Sequence, residues 1–458
     1  MPSEFADLNL NGTAAALEDR RYDMASRKAI KVLLPMIIVI YLLSYLDRTN
    51  VALAKPAFQH DLGIGPAAYG LGSGLFFLAY AFLEIPSNLI AYRVGPRRWI
   101  ARIAVTWGAV SAAMLFVRGD WSFYALRLLL GAAEAGLFPA LLYMITCWFS
   151  HRERAIMVSW LYIGPPLAII FGNQIGGVLM ELDGAAGLHG WQWMFLIEGL
   201  PTIIMGLFLW FKLPDRPSAA KWLTAEEAEL LERRAIASTE QRHAIEALGW
   251  LKSLRSPTTL LIGIIYFLNQ VGFLGLVFFT PGVIHQMNVK SPALIGLLSS
   301  TIGIGALLGV LIIPRLHRRV ANDSLYLGLV TTGFLLCGLG FSSIDNHPVQ
   351  ILFIVCGAGF GVGILPVYWA IAMRHLHGVQ AAAGLAAINT MGLTGGFVGP
   401  YLFGLAESWS GRSSAGFYII AVASALALVP IILLNRVNPR DTGGLPASSA
   451  MTSPVGPG

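Results

Sequence analysis

Apolar residues in this chain come in long unbroken runs, not in the alternation of a half-buried strand. Runs long enough to cross a bilayer, about 20 residues each, lie near 31–53, 69–92, 99–117, 122–148, 154–180 and 191–211. A second set lies near 258–284, 291–313, 324–343, 349–373, 380–406 and 414–435. The pattern predicts an all-α integral membrane protein of twelve transmembrane helices. A transmembrane β-barrel is excluded, since its strands would alternate and would not tolerate Gly and Pro inside continuous apolar segments.

One long polar segment interrupts the series, between Lys212 and Pro257. It divides the chain into a terminal arm (1–30), a six-helix bundle (31–212), a linker (213–257), a second six-helix bundle (258–436) and a tail (437–458). The linker stretch TAEE, Thr224 to Glu227, fits a capping box, in which a Thr hydroxyl and a Glu carboxylate each satisfy a free amide of a new helix. The tail, GGLPASSAMTSPVGPG, has the small, polar, Pro-rich composition of disorder.

The two halves resemble each other. NLIAYRVGPRRW joins the second and third spans, and GVLIIPRLHRRV joins the eighth and ninth. The fifth span carries FGNQIGG and the eleventh TGGFVGPYLFG, glycine stripes that let helices approach closely. A duplicated six-helix unit with a cavity at the midplane between its copies is a transporter plan.

Composition agrees with the hydropathy: 56% of the 458 residues are hydrophobic and 12% charged, against roughly 25% charged in soluble domains. A net charge of +6 raises the question of nucleic acid, but the placement of the charge answers it. Of the 31 basic residues, all but six fall in the arm, the linker, the tail and alternate loops. Lys55, Arg118, Lys290 and Arg412 fall on the opposite side, and Arg48 and Arg127 lie inside spans. This is the positive-inside pattern, with both termini cytoplasmic in a plasma (bacterial inner) membrane. Cys147, Cys337 and Cys356 have no paired or metal-like spacing and read as small hydrophobes.

Four charged residues inside spans stand out: Asp47, Arg48, Arg127 and Glu134. A charge at a helix centre costs roughly 2.5–3.5 kcal/mol on insertion scales, so each needs a partner or water and points to function. Arg127 and Glu134 are seven apart, on one face of one helix. Adjacent Asp47 and Arg48 point about 100° apart and so look toward different neighbours. A poorly hydrated carboxylate is pulled toward its protonated form by desolvation and away from it by a nearby guanidinium, the balance a proton carrier needs. Glu84 and Glu198 also fall within spans and rank behind these four, as braces or interface groups.

The turn NLIAYRVGPRR resembles the G-x-x-x-D-R-x-G-R-R signature of the major facilitator superfamily, with Arg93, Gly95, Arg97 and Arg98 kept as a gating motif. Asn88 stands in place of its Gly and Tyr92 in place of its Asp. SYLDRTNVALA, FFLAYAFLEIPSNLIAYRVGPRRWI, LRLLLGAAEAGLFPALLYMITCWF with HRERA, and GWQWMFLIEGLP are together similar to the anion:cation symporter branch, which includes permeases for tartrate, galactonate, phthalate and 4-hydroxyphenylacetate. That resemblance implies proton coupling at Asp47 and Glu134, assisted by Arg48 and Arg127, which also bind the substrate carboxylate. It implies a pocket formed by Tyr45 and Tyr80 together with Tyr368, Trp369 and Asn389. Gly164, Pro165 and Pro166 stand where sugar-acid members of the branch carry a polar contact, which favours a less hydroxylated substrate.

The expected activity is proton-coupled import of a small organic carboxylate by a monomer in the lipid bilayer. No cofactor, metal or nucleic acid is expected, and no enzyme constellation is present. One rival is a drug or metabolite:proton antiporter, disfavoured because FGNQIGG lacks the G-P-x-x-G-G of such exporters. The other is a membrane ligand sensor, disfavoured by the absence of a signalling domain.

Overall fold

The apolar runs fold as helices because a bilayer interior offers backbone amides no partners but one another. The computed structural model describes residues 2–240, 256–320, 322–375 and 379–437. The first half holds α1 (Pro2–Asp61), α2 (Pro66–Val94), α3 (Pro96–Ala113), α4 (Asp120–Glu134), α5 (Leu137–Trp148), α6 (His151–Leu161), α7 (Gly164–Met180) and α8 (Gly190–Lys212). The linker carries α9 (Ala225–Glu240). The second half holds α10 (Pro257–Gln286), α11 (Pro292–Ser299), α12 (Thr301–His317), α13 (Asp323–Ser343), α14 (His347–His375), α15 (Val379–Ser410) and α16 (Phe417–Val437). Among the described residues, 11 helical stretches are long and apolar enough to cross a membrane. The remaining crossing falls to α15, whose 32 residues suffice in length. The expected disordered tail lies almost wholly outside the described residues.

Three spans that read as continuous are broken. The fourth stops at Glu134 and restarts as α5, the fifth is interrupted between α6 and α7, and the eighth between α11 and α12. The first break has a clear cause at Gly136, whose φ of 86° suits glycine alone. A Cβ there would also fall 2.3 Å from Ser87 Oγ. That hydroxyl donates to Ala135 O at 2.6 Å and accepts from Trp99 Nε1 at 2.9 Å, so the carbonyl freed at the break is satisfied.

The terminal arm does not form a separate piece, because α1 runs through it without interruption. Its polar side chains dock on the linker helix and the α5–α6 corner. Lys28 pairs with Glu227 at 3.0 Å, Asp19 with Arg234 at 2.5 Å, and Tyr22 donates to Glu153 at 3.0 Å. The capping box forms as expected: Glu227 N donates to Thr224 Oγ1 at 3.2 Å and Thr224 N donates to Glu227 Oε2 at 2.9 Å. The Thr224 amide, helped by Lys28, holds the Glu227 carboxyl below its ordinary range.

The halves meet tightly at the end of the molecule away from the termini. An added Cβ on Gly404 would fall 2.3 Å from Pro66 O, and one on Gly177 2.7 Å from Pro292 O. Only glycine permits such backbone approach, which explains the stripes in the fifth and eleventh spans. At the same end Tyr69 Oη lies 2.9 Å from Val51 O and 3.2 Å from Phe278 O, bonding elements of both halves.

Candidate functional site

Between the halves lies a cavity of about 1260 Å³ of atom-free space, counting its mouth. Its lining draws on α1, α2, α7, α10, α12, α14 and α15, with further residues from Glu134 to Phe138 at the α4–α5 break. These residues lie at mid-helix and toward the terminal end of each span, so the cavity is closed by the contacts at the far end. Aromatic and aliphatic groups dominate the wall, and among the described lining residues only Arg48, Glu84 and Glu134 are charged. Apolar walls with a few placed polar groups are what an enclosed small-molecule site requires.

Arg48 Nη2 donates to Glu134 Oε1 at 2.7 Å, joining α1 to the end of α4. The guanidinium lies 4.4 Å from the Tyr45 ring centroid and 5.2 Å from that of Phe76, which adds cation–π attraction. Arg48 Nε and Glu134 Oε2 are both buried without a hydrogen-bond partner. The pair is therefore made through one bond and keeps a spare donor and a spare acceptor. Asp47, on the neighbouring side of α1, turns away from Arg48 into the first half, where Trp107 Nε1 and Ser111 Oγ donate to its carboxylate. This is the divergence that helical spacing predicts for adjacent residues.

A second buried pair joins the halves. Lys55 Nζ donates to Glu407 Oε2 at 2.5 Å and to Ser413 Oγ at 3.3 Å, with the Phe279 ring centroid 4.4 Å away. The lysine side chain is 0% exposed and the glutamate 4%. Sequence reading assigned Lys55 to an outer loop; instead α1 continues past it to Asp61 and carries it into the interface between halves.

The chain matches the Major Facilitator Superfamily family model over residues 37–400. It is 37% identical over 401 residues to a quinolone resistance transporter of Acinetobacter baumannii, covering 87% of this chain and 92% of that one. It is 34% identical over 422 residues to a putative tartrate transporter of Agrobacterium vitis, covering 91% and 96%. The chain belongs to the major facilitator superfamily. Its fold is shared with an inward-facing, unoccupied bacterial homologue of the human lysosomal transporter Spinster, with a TM-score of 0.72 at 17% identity, covering 91% of this chain and 99% of that one.

Within this major facilitator fold, Tyr45, Arg48, Tyr80, Glu134, Trp369 and Asn389 share the cavity wall. Arg127 and Tyr368 lie outside it. Arg127 is 0% exposed and donates to the carbonyls of Gly72 at 3.3 Å and Ser73 at 3.0 Å, tying α4 to α2. Tyr368 Oη accepts from Tyr266 N at 3.0 Å inside the second half. Glu198 is buried within the first half, also away from the cavity. At the superfamily turn, Gly95 takes a φ of 96° between α2 and α3, and Arg93 and Arg98 are exposed. The acid that Tyr92 does not supply comes from Asp215, beyond α8: Arg97 N donates to its carboxylate at 2.9 Å and Arg97 Nε lies 3.3 Å away. Sequence reading missed this acid because it lies 118 residues from the turn.

Proposed function

We propose that this integral membrane transporter carries a small organic carboxylate together with protons by alternating access. The observation that carries the reading is the Arg48–Glu134 pair at 2.7 Å in the cavity wall, with Arg48 Nε left unpartnered. A guanidinium matches a carboxylate through two parallel bonds. While Glu134 is ionised it competes with the substrate for Arg48. A proton on Glu134 weakens its hold, so substrate and proton favour each other's binding and travel together. Asp47, next to Arg48 on α1, provides a second protonatable group, and Arg127 acts on Glu134 from two turns away on α4. Tyr45, Tyr80, Trp369 and Asn389 supply the pocket wall.

The charge distribution supports cytoplasmic termini in a plasma membrane, which makes the cavity inward-facing. Arg93, Gly95, Arg97 and Arg98 then form the cytoplasmic gating turn. Each proton beyond charge balance adds about 2.3 kcal/mol of driving force per 100 mV.

A second reading is proton-coupled exchange of a drug or metabolite, favoured by the 37% identical relative named for quinolone resistance. In that reading the competition is for Glu134 instead: a basic substrate group and a proton exclude one another at its carboxylate, which gives antiport. Proteoliposome transport separates the two. Symport is expected to give uphill uptake of a carboxylate along an imposed inward proton gradient, with Glu134→Gln retaining counterflow but losing accumulation. Accumulation that responds to neither pH nor Glu134→Gln defeats the proton role; proton release on substrate entry favours exchange.

A further inference from the structure

The cavity holds a second polar feature remote from the Arg48–Glu134 pair. Glu84 on α2 accepts from Asn389 Nδ2 on α15, with Oε2 at 3.2 Å and Oε1 at 3.4 Å. The two residues come from opposite halves and both line the cavity. Tyr80, one turn before Glu84 on the same helix face, lies between them and Arg48, its ring centroid 5.9 Å from the guanidinium. A carboxylate has about four acceptor positions, and one amide leaves most of them free. Gln270, another residue of the same wall, also presents a buried side-chain oxygen with no donor. Among the described residues, the cavity wall thus offers acceptors short of donors at Glu84 and at Gln270.

Charge counting sharpens the point. When Glu134 is protonated and a substrate carboxylate sits on Arg48, those two charges balance, and an ionised Glu84 has no counter-charge among the described lining residues. An uncompensated charge in a poorly hydrated site is costly. Such a carboxylate either takes up a proton or meets a positive group, and a ligand that places an ammonium there keeps it ionised.

We infer that Glu84, held by Asn389, is a specificity-determining residue that selects carboxylates carrying a hydrogen-bond donor at their far end, an ammonium ahead of a hydroxyl. The inference rests on the proposed binding of a carboxylate at Arg48 and names the class of substrate that site takes. It agrees with the expectation of a sparsely hydroxylated substrate. On release, the donor leaves and Glu84 keeps its bond to Asn389, which joins the two halves in the empty carrier.

The test is thermal stabilisation of the purified full-length protein by two matched series: 4-(aminomethyl)benzoate, 4-(hydroxymethyl)benzoate and 4-methylbenzoate; and 6-aminohexanoate, 6-hydroxyhexanoate and hexanoate. In at least one series the amino compound is expected to bind about tenfold more tightly than the unsubstituted acid, with the hydroxy compound between them. Glu84→Gln, close to isosteric and still able to accept from Asn389, is expected to bring the three within about twofold of one another. Equal binding of all three by the wild-type protein, with binding lost in Arg48→Ala, overturns the Glu84 inference and leaves the carboxylate reading intact. Discrimination that survives in Glu84→Gln overturns it as well. Stabilisation by none of the six, or stabilisation indifferent to Arg48→Ala, removes the carboxylate reading and the inference with it. The wild-type comparison needs no variant to fold.

Discussion

Arg48–Glu134 and Lys55–Glu407 are both buried ion pairs that use α1, yet they are finished differently. Arg48–Glu134 lies within one half, on a cavity wall, and leaves Nε and Oε2 unpartnered. Lys55–Glu407 crosses between halves, with a hydroxyl and an aromatic face completing the shell around the ammonium. A pair with spare bonding capacity can exchange one partner for a ligand. A saturated pair can only form or break. Buried ion pairs are seldom more stabilising than apolar side chains of the same volume, so neither is accounted for by stability alone. The first suits ligand exchange, and the second suits an interface that must come apart, since separating the halves at that end returns both charges to water.

The largest expected effect comes from breaking the saturated pair on one side. Lys55→Met leaves Glu407 charged and uncompensated, and is expected to cost about 3–5 kcal/mol, read as a lowered unfolding temperature in detergent. Adding Glu407→Leu should recover most of that loss while favouring the state closed at that end, so labelling of cysteines introduced on the far side should slow. Recovery without any change in labelling would mean the pair is structural only.

Next in size is the open pair. Arg48→Ala is expected to lower carboxylate binding by about 100-fold, the equivalent of roughly 2.7 kcal/mol. The double variant Arg48→Met/Glu134→Leu should fold well but remain inactive, in contrast to the Lys55 and Glu407 double variant, whose stability and transport are separable. Asp215→Ala, which removes the acid from the Arg97 amide, should cost about 1–2 kcal/mol through the orphaned helix start and shift the protein toward states open at the terminal end, measured by protease access to the linker.

The smallest effect is at the surface. Thr224→Ala removes the cap of α9 and is expected to cost about 1 kcal/mol. Because Glu227 titrates below its ordinary range when folded, its contribution is complete above that range and is lost as pH falls through its folded value. The protection of α9 amides, corrected for the intrinsic pH dependence of exchange, should therefore fall at acid pH in the wild-type protein and less steeply in Thr224→Ala.

What could be read from the sequence was local or periodic. The apolar runs gave the crossings, and the three-residue spacing from Thr224 to Glu227 gave a cap that the structure contains. The charged residues in spans drew attention by their cost in lipid, but not by their partners. Glu84 and Asn389 are 305 residues apart and Lys55 and Glu407 are 352 apart, and no periodicity links positions on opposite halves. The break after Glu134 was equally hidden, because Ala, Gly, Leu and Phe keep the run apolar while the chain turns. Lys55 was misplaced for a related reason: hydropathy falls where α1 nears its end, although the helix itself continues.

That break divides the fourth span into two rods, and Ser87 sits at the joint. Its hydroxyl takes the Trp99 indole on one side and gives its own proton to Ala135 O on the other. Trp99 stands in the first turn of α3, four residues past Gly95; Ala135 is the residue after Glu134. The basic turn and the cavity acid are thus ends of one short lever with a serine as its pivot. A displacement at the turn would reach the carbonyl beside Glu134 through these two bonds, with no side chain other than the serine in between.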